Sequence, residues 1–199
     1  MALTKYYTKL ISASFNSAVY ALDKKRVAKI LANNSLLQLN KEAEKMKFAN
    51  AVNNLVVKFY ELKIDDSGFH MLVMERLFSM EYRAFESGQI LKFLKSFRKK
   101  LVELHSEGFV FNDLNNTVLI DKRGEVHTNY ILTKSGFRLF DTGLSISRED
   151  VGDQEFEKLV ERELTDFDFM ASYISKGGPI IPFITQIDSS RGLPGSYES

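Results

Sequence analysis

Apolar and polar residues alternate from Leu10 to Ile30 around Asp23, Lys24 and Lys25, a tight-turn signal. The pattern predicts a hairpin with strands over about residues 18–22 and 26–31. Asn33 and Asn34 interrupt it. A helix is expected over about residues 39–52, capped by Asn40, with Ala43, Met46, Lys47 and Asn50 on one face. Residues 56–64 and 69–75 flank the turn signal Asp65, Asp66, Ser67, Gly68 and predict a second strand pair. Ile90, Leu94, Phe97, Leu101 and Leu104 then recur at helical spacing over residues 89–105, and Gly108 ends that helix. A last helix is expected over residues 154–174, where Phe156, Leu159, Val160, Glu163 and Phe167 keep the interval. Lys176, Gly177, Gly178 and Pro179 break it. Residues 188–199 are polar and rich in Gly, Pro and Ser, so a disordered tail is expected over 179–199.

Composition narrows the class. A chain of 199 residues can bury one good core or two small lobes, and 44% hydrophobic with 27% charged residues is ordinary for a globular protein. A formal net charge of +1 gives no electrostatic case for nucleic acid or an anionic membrane. Arg98, Lys99 and Lys100 accordingly read as a solvated helix face. The absence of cysteine excludes disulfides and thiolate metal sites and fits a reducing, cytoplasmic compartment. His70, His105 and His127 are scattered without zinc-site spacing. No apolar run approaches the roughly 18–20 residues of a membrane span, and the first residues lack the apolar stretch of a signal peptide.

The chemistry concentrates in residues 104–145. Asp113 follows the apolar run Gly108, Phe109, Val110, Phe111, and Asp141 ends a second run, Arg138, Leu139, Phe140. Asn129 stands between them, ahead of a turn at Lys134, Ser135 and Gly136. An acid, an amide and a second acid, each at the end of a short strand-like segment, match the needs of metal-assisted phosphoryl transfer. One carboxylate orients the attacking hydroxyl, while the amide and the other carboxylate hold Mg²⁺ on the phosphates.

These residues resemble the catalytic core of the protein-kinase-like superfamily. Phe111, Asn112, Asp113, Leu114 stand where that family has His-Arg-Asp-Leu, and Asp141, Thr142, Gly143 where it has Asp-Phe-Gly. The family's metal-binding Asn falls five residues after the catalytic Asp, where this chain has Val118. Either Asn116 serves in a shortened loop, or Asn129 serves after an insertion over about residues 115–128. The order Asn, strand, turn, strand, Asp from 129 to 141 favours Asn129.

The resemblance implies an α+β, two-lobed kinase-like fold. It has a five-stranded N-lobe over 1–77, a truncated helical C-lobe over 78–178, and ATP and Mg²⁺ as cofactors. It implies a phosphate-covering loop at Ser12, Ser14, Ser17 and Val19, although the family's glycines are missing there, which weakens backbone approach to phosphate. Lys29, a charge inside the apolar strand Val27, Ala28, Lys29, Ile30, would hold the α/β-phosphates and pair with Glu44. Met74 would back the adenine pocket, with Glu75, Arg76 and Leu77 as the hinge. Asp113 would be the catalytic base; Asn129 and Asp141 would hold the metal. Asp166 would tether the catalytic loop, with Asp168 as the alternative. The short stretch from Thr142 to Asp166 implies activity without phosphorylation of that segment.

The missing later helices resemble the bacterial lipopolysaccharide core heptose kinases and the minimal effector kinases that enteric pathogens inject into host cells. They imply a protein or glycan hydroxyl as acceptor, the host cytosol as location for an effector, and apolar surface that an activating protein partner could cover. Two other readings fit the residues. One is a catalytically dead, pseudokinase-type binding module, which the lost glycines, the lost His and the displaced Asn favour. The other is an α+β protein with chance motif matches, which predicts Lys29 and Asp141 far apart.

Overall fold

The computed structural model describes residues 7–14, 16–114, 127–176 and 181–182. Its first strands are set by local turn chemistry. β1 (Lys9–Ala13) turns into β2 (Ser17–Ala21), and β3 (Arg26–Leu31) follows the Asp23 turn. There the Asp23 carboxylate accepts from the backbone N–H of Lys25 at 2.7 Å and of Arg26 at 2.8 Å.

The first helix, α1 (Leu36–Val52), begins three residues before the expected start, and its cap is Ser35 rather than Asn40. The Ser35 hydroxyl accepts from Gln38 N at 3.3 Å, satisfying a first-turn donor; Asn40 lies inside the helix. Asn34 enters the turn at φ +49°, and its side chain clamps His70 N and Gly68 O. β4 (Phe59–Ile64) and β5 (His70–Glu75) join through Asp65, whose carboxylate accepts from Ser67 N and Phe69 N. The sheet is five-stranded and antiparallel, in the order β1-β2-β3-β5-β4.

α2 (Ser87–Ser106) buries the five apolar positions that the spacing picked out, and His105 with them. Gly108 then takes φ +86°. β6 (Phe109–Val110) leads towards Asp113. β7 (His127–Thr128) precedes the hairpin of β8 (Tyr130–Thr133) and β9 (Gly136–Leu139). β10 (Ile146–Ser147) pairs antiparallel with β6, and α3 (Arg148–Val151) and α4 (Asp153–Ser175) follow. β11 (Ile181–Pro182) lies parallel to β7, so the expected disordered tail contains a paired strand. The rest of that tail lies outside the described residues, as do Asn116 and most of the expected insertion.

The protein is thus α+β, with one five-stranded antiparallel sheet and four helices among the described residues. None of those helices is long and apolar enough to cross a membrane. One buried cluster runs from Leu39 and Met46 on α1, through Leu55 and Leu72, to Phe97, Leu104 and Leu139. Phe97 is its hinge of packing. Its ring lies 5.7 Å from Phe137 and 5.4 Å from Phe167, so α2 anchors both the β8/β9 hairpin and α4. Backbone bonds of 2.8 Å from Val57 N to Leu139 O and from Leu139 N to Leu55 O bind β9 to the stretch before β4.

α4 is amphipathic. It buries Phe156, Leu159, Phe167, Met170 and Ile174, while Glu155, Glu157, Lys158, Glu161 and Arg162 face out. The apolar surface expected where further helices are missing comes down, on this helix, to an exposed Phe169.

Candidate functional site

β3 carries Lys29 into the interior, where it is 7% exposed, opposite Val19 on β2 and Leu72 on β5. A buried ammonium must be paired. Its Nζ donates to both oxygens of Glu42, at 2.9 and 3.0 Å, and to Asp141 Oδ1 at 3.0 Å, across 112 residues of chain. Burial pulls the Lys29 pKa down, but the Glu42 and Asp141 carboxylates outweigh it, and the net direction is upward. The partner is therefore Glu42, not the expected Glu44. On a helix the two lie two residues, or about 200°, apart, so only one can face the sheet. Glu42 falls on the buried stripe with Leu39, Ala43 and Met46, while Glu44 is exposed. That stripe was the signal available in the sequence.

Asp141 lies two residues beyond β9, at φ +63°, a conformation costly for a non-glycine residue. Its Oδ1 also accepts from Gly143 N at 3.3 Å, capping the short 3-10 turn Thr142–Leu144. Thr142 is fully buried, and its hydroxyl donates to Glu42 O at 3.3 Å. Lys45 Nζ donates to Gly143 O at 2.9 Å. The segment is thus fastened to α1 by side chains as they stand.

Asp113 is 9% exposed, and Asn129 Nδ2 donates to its Oδ2 at 2.5 Å. Asn129 is tied to the second acid as well, because Phe140 N donates to Asn129 O at 3.0 Å, one residue before Asp141. Lys29, Asp141, Asn129 and Asp113 therefore form one connected group. Among the described residues, Asp141 Oδ2 and Asn129 Oδ1 take no hydrogen bond. No group of three or more His, Cys, Asp or Glu that could hold a metal occurs among the described residues.

The loop before Asp113 is tethered by Glu163, three residues short of the expected Asp166. Glu163 is 2% exposed; its carboxylate accepts from Phe111 N at 3.2 Å, Asn112 N at 2.5 Å and His105 Nε2 at 2.7 Å. Three donors on one buried carboxylate make this the stiffest point of the loop. Asp166 is half-buried, and Asp168 is exposed 3.8 Å from Arg98. Asn112 sits at φ +62°, donates to Leu144 O at 3.1 Å and accepts from Arg162. Sequence reasoning passed over Asn112 and Lys45, because both act on backbone carbonyls distant in the chain.

Ser12 on β1, Ser14 in the turn that follows, Ser17 and Val19 on β2, and Met74, Glu75, Arg76 and Leu77 at the end of β5 line one cavity with Lys29, Glu42 and Asp141. Met74 is at once core and cavity wall, 8% exposed and opposite Val27. The cavity holds about 90 Å³, less than the roughly 300–1,000 Å³ usual for ligand clefts. Its cover is the turn between β1 and β2, closed by exposed bonds of 3.1–3.3 Å between Ser14 and Ser17. A larger open groove, of about 1,110 Å³, lies between α1 and residues 143–151 and includes Glu44 and Lys45. The small cavity is the better candidate, since the buried charges point into it.

A scan of the chain against protein-family models finds no match, and a search of the curated proteins finds none either.

Proposed function

We propose that the chain is a minimal kinase-like phosphotransferase, two-lobed in the sense expected from its motifs, that moves the γ-phosphate of ATP to a hydroxyl acceptor. The observation that carries this reading is the contact of Lys29 with both Glu42 and Asp141, 112 residues away, on the wall of one cavity. Lys29, locked by Glu42, offers a fixed cation for phosphate oxygens. Asn129 holds the Asp113 carboxylate in one orientation, from which it can accept a hydroxyl proton. Asp141 Oδ2 and Asn129 Oδ1 fit a hard cation such as Mg²⁺, which takes few protein ligands and completes its shell with phosphate oxygens and water. A Mg²⁺ held by Asp141 and Asn129 would supply neutralisation of phosphate charge. The chain's own contribution is positioning: Glu163 stiffens the loop that presents Asp113.

The test is a thermal-shift titration with ATP, with and without Mg²⁺, followed by transfer of radiolabelled γ-phosphate to protein and glycan acceptors. Mg²⁺-dependent stabilisation is expected, absent in Asp141→Ala, with turnover reduced about 10³-fold in that variant. A wild type without any nucleotide response would refute the reading. Stabilisation without transfer to any acceptor would favour the pseudokinase-type binding module, for which the glycine-free turn over Ser14 and Ser17 speaks. Turnover is expected to survive phosphatase treatment, because Asn112 and Lys45 fasten residues 143 and 144 directly.

A further inference from the structure

The cavity has two ends, set about 10 Å apart along β3 by the three-residue step from Arg26, opposite Glu75, to Lys29. Buried charge fixes the Lys29 end. At the other end, the chain leaves the sheet through Glu75, Arg76 and Leu77, and an unused charged group stands behind it.

Arg138, on β9, is 12% exposed at its side chain. Its Nη2 donates to Glu75 Oε2 at 2.7 Å and to Val56 O at 3.0 Å. The same Glu75 oxygen accepts from Lys58 N at 3.2 Å, while Glu75 N donates to Lys58 O at 2.8 Å. One guanidinium thus joins three pieces of backbone: the strand that delivers Asp141, the stretch before β4, and the end of β5. Arg138 stands three residues before Asp141 in the chain.

We propose that Arg138 is a positioning residue for the base end of the bound nucleotide. By pairing with the Glu75 carboxylate, it sets residues 75–77 relative to the strand that places Asp141. This rests on the nucleotide reading above and adds to it a single ruler for both ends of the cavity. Arg138 touches neither phosphate nor metal. Its loss acts on adenosine recognition and leaves the triphosphate end alone.

The experiment compares binding of Mg²⁺–ATP and Mg²⁺–tripolyphosphate, by calorimetry, to wild type, Arg138→Gln, Glu75→Gln and the double variant. Each single change is expected to weaken ATP about tenfold and tripolyphosphate less than twofold, and the double change to weaken ATP no further than the worse single. In steady state, KM for ATP rises and kcat stays within about twofold. Equal loss for both ligands would make Arg138 a general structural residue and overturn the proposal, as would an unchanged ATP affinity or additive effects. If Arg138→Gln does not fold, Glu75→Gln, the more exposed partner, and Arg138→Lys carry the same comparison. A wild type that binds ATP, with affinity unchanged in every variant, overturns the proposal alone. A wild type that binds neither overturns the nucleotide reading and the proposal with it.

Discussion

The floor and the cover of the cavity are built by opposite means. The floor is Lys29 and Glu42, buried and joined to Asp141 by charge-assisted bonds of 2.9–3.0 Å. Removing Lys29 would leave the Glu42 carboxylate buried without its cation, at about 3–5 kcal/mol. The cover is the turn between β1 and β2, held by the backbone bond from Ser14 N to Ser17 O at 2.8 Å and by exposed hydroxyls that can exchange protein partners for water at almost no cost. The cavity of about 90 Å³ thus has a charged floor and an uncharged cover. The missing glycines therefore fall on the uncharged turn and not among the charges of the floor.

The sharpest way to break this contrast is on α1. Glu42→Gln leaves Lys29 facing one carboxylate and is expected to lower turnover roughly 10–100-fold, whereas Glu44→Gln stays within about twofold. Equal effects in an initial-rate assay would mean that the helix turns in solution to present the other glutamate.

A smaller effect is expected at the cover. Ser14→Gly removes a side chain that accepts from Ser17 N at 3.1 Å, and frees the turn. ATP affinity should change by no more than about threefold in either direction, read by calorimetry, with stability within about 0.5 kcal/mol in urea. A large loss of affinity would show that the hydroxyl itself grips phosphate.

The smallest effect lies in the alkaline range. The Lys29 pKa is raised above 10.5, so the stability it lends is fully present below that value and is lost as pH rises through the higher folded one. The wild type should therefore lose stability above pH 10.5 relative to a Lys29→Met, Glu42→Gln double variant, while Glu42, whose pKa burial holds above its usual value, adds its own loss as pH rises through that raised value. An unchanged difference above pH 10.5, measured by denaturant midpoints, would mean that Lys29 is not the charged partner.

What could be seen in the sequence follows from how each residue does its work. Lys29 was legible as a lone charge in an apolar strand, and Asp113 and Asp141 because each closes a short apolar run. Asn129 was legible from the strand-turn-strand order behind it. Four of the five strands and the three long helices came from periodicity, and their ends shifted by up to three residues, as where the hydroxyl cap Ser35 competed with Asn40.

The two misplaced acids have one cause. Glu44 and Asp166 were located by counting along the chain, yet a helix presents residues by angle. Glu163 had been noted on the apolar interval with Phe156, Leu159 and Phe167, and a carboxylate on a buried stripe must find donors. Arg138 and Asn112 gave no such sign. Their roles depend on carbonyl oxygens brought near by tertiary folding, at Val56 and Leu144, and no local pattern announces a carbonyl.

The short pairing of Ile181 and Pro182 with His127 and Thr128 carries a consequence for anyone trimming this chain. The residue after Thr128 is Asn129, whose amide steadies Asp113. Shortening the protein after α4 would strip a neighbouring strand from the step just before that amide, so damage from such a cut would surface at Asn129 and Asp113 before it reached the sheet or the helices.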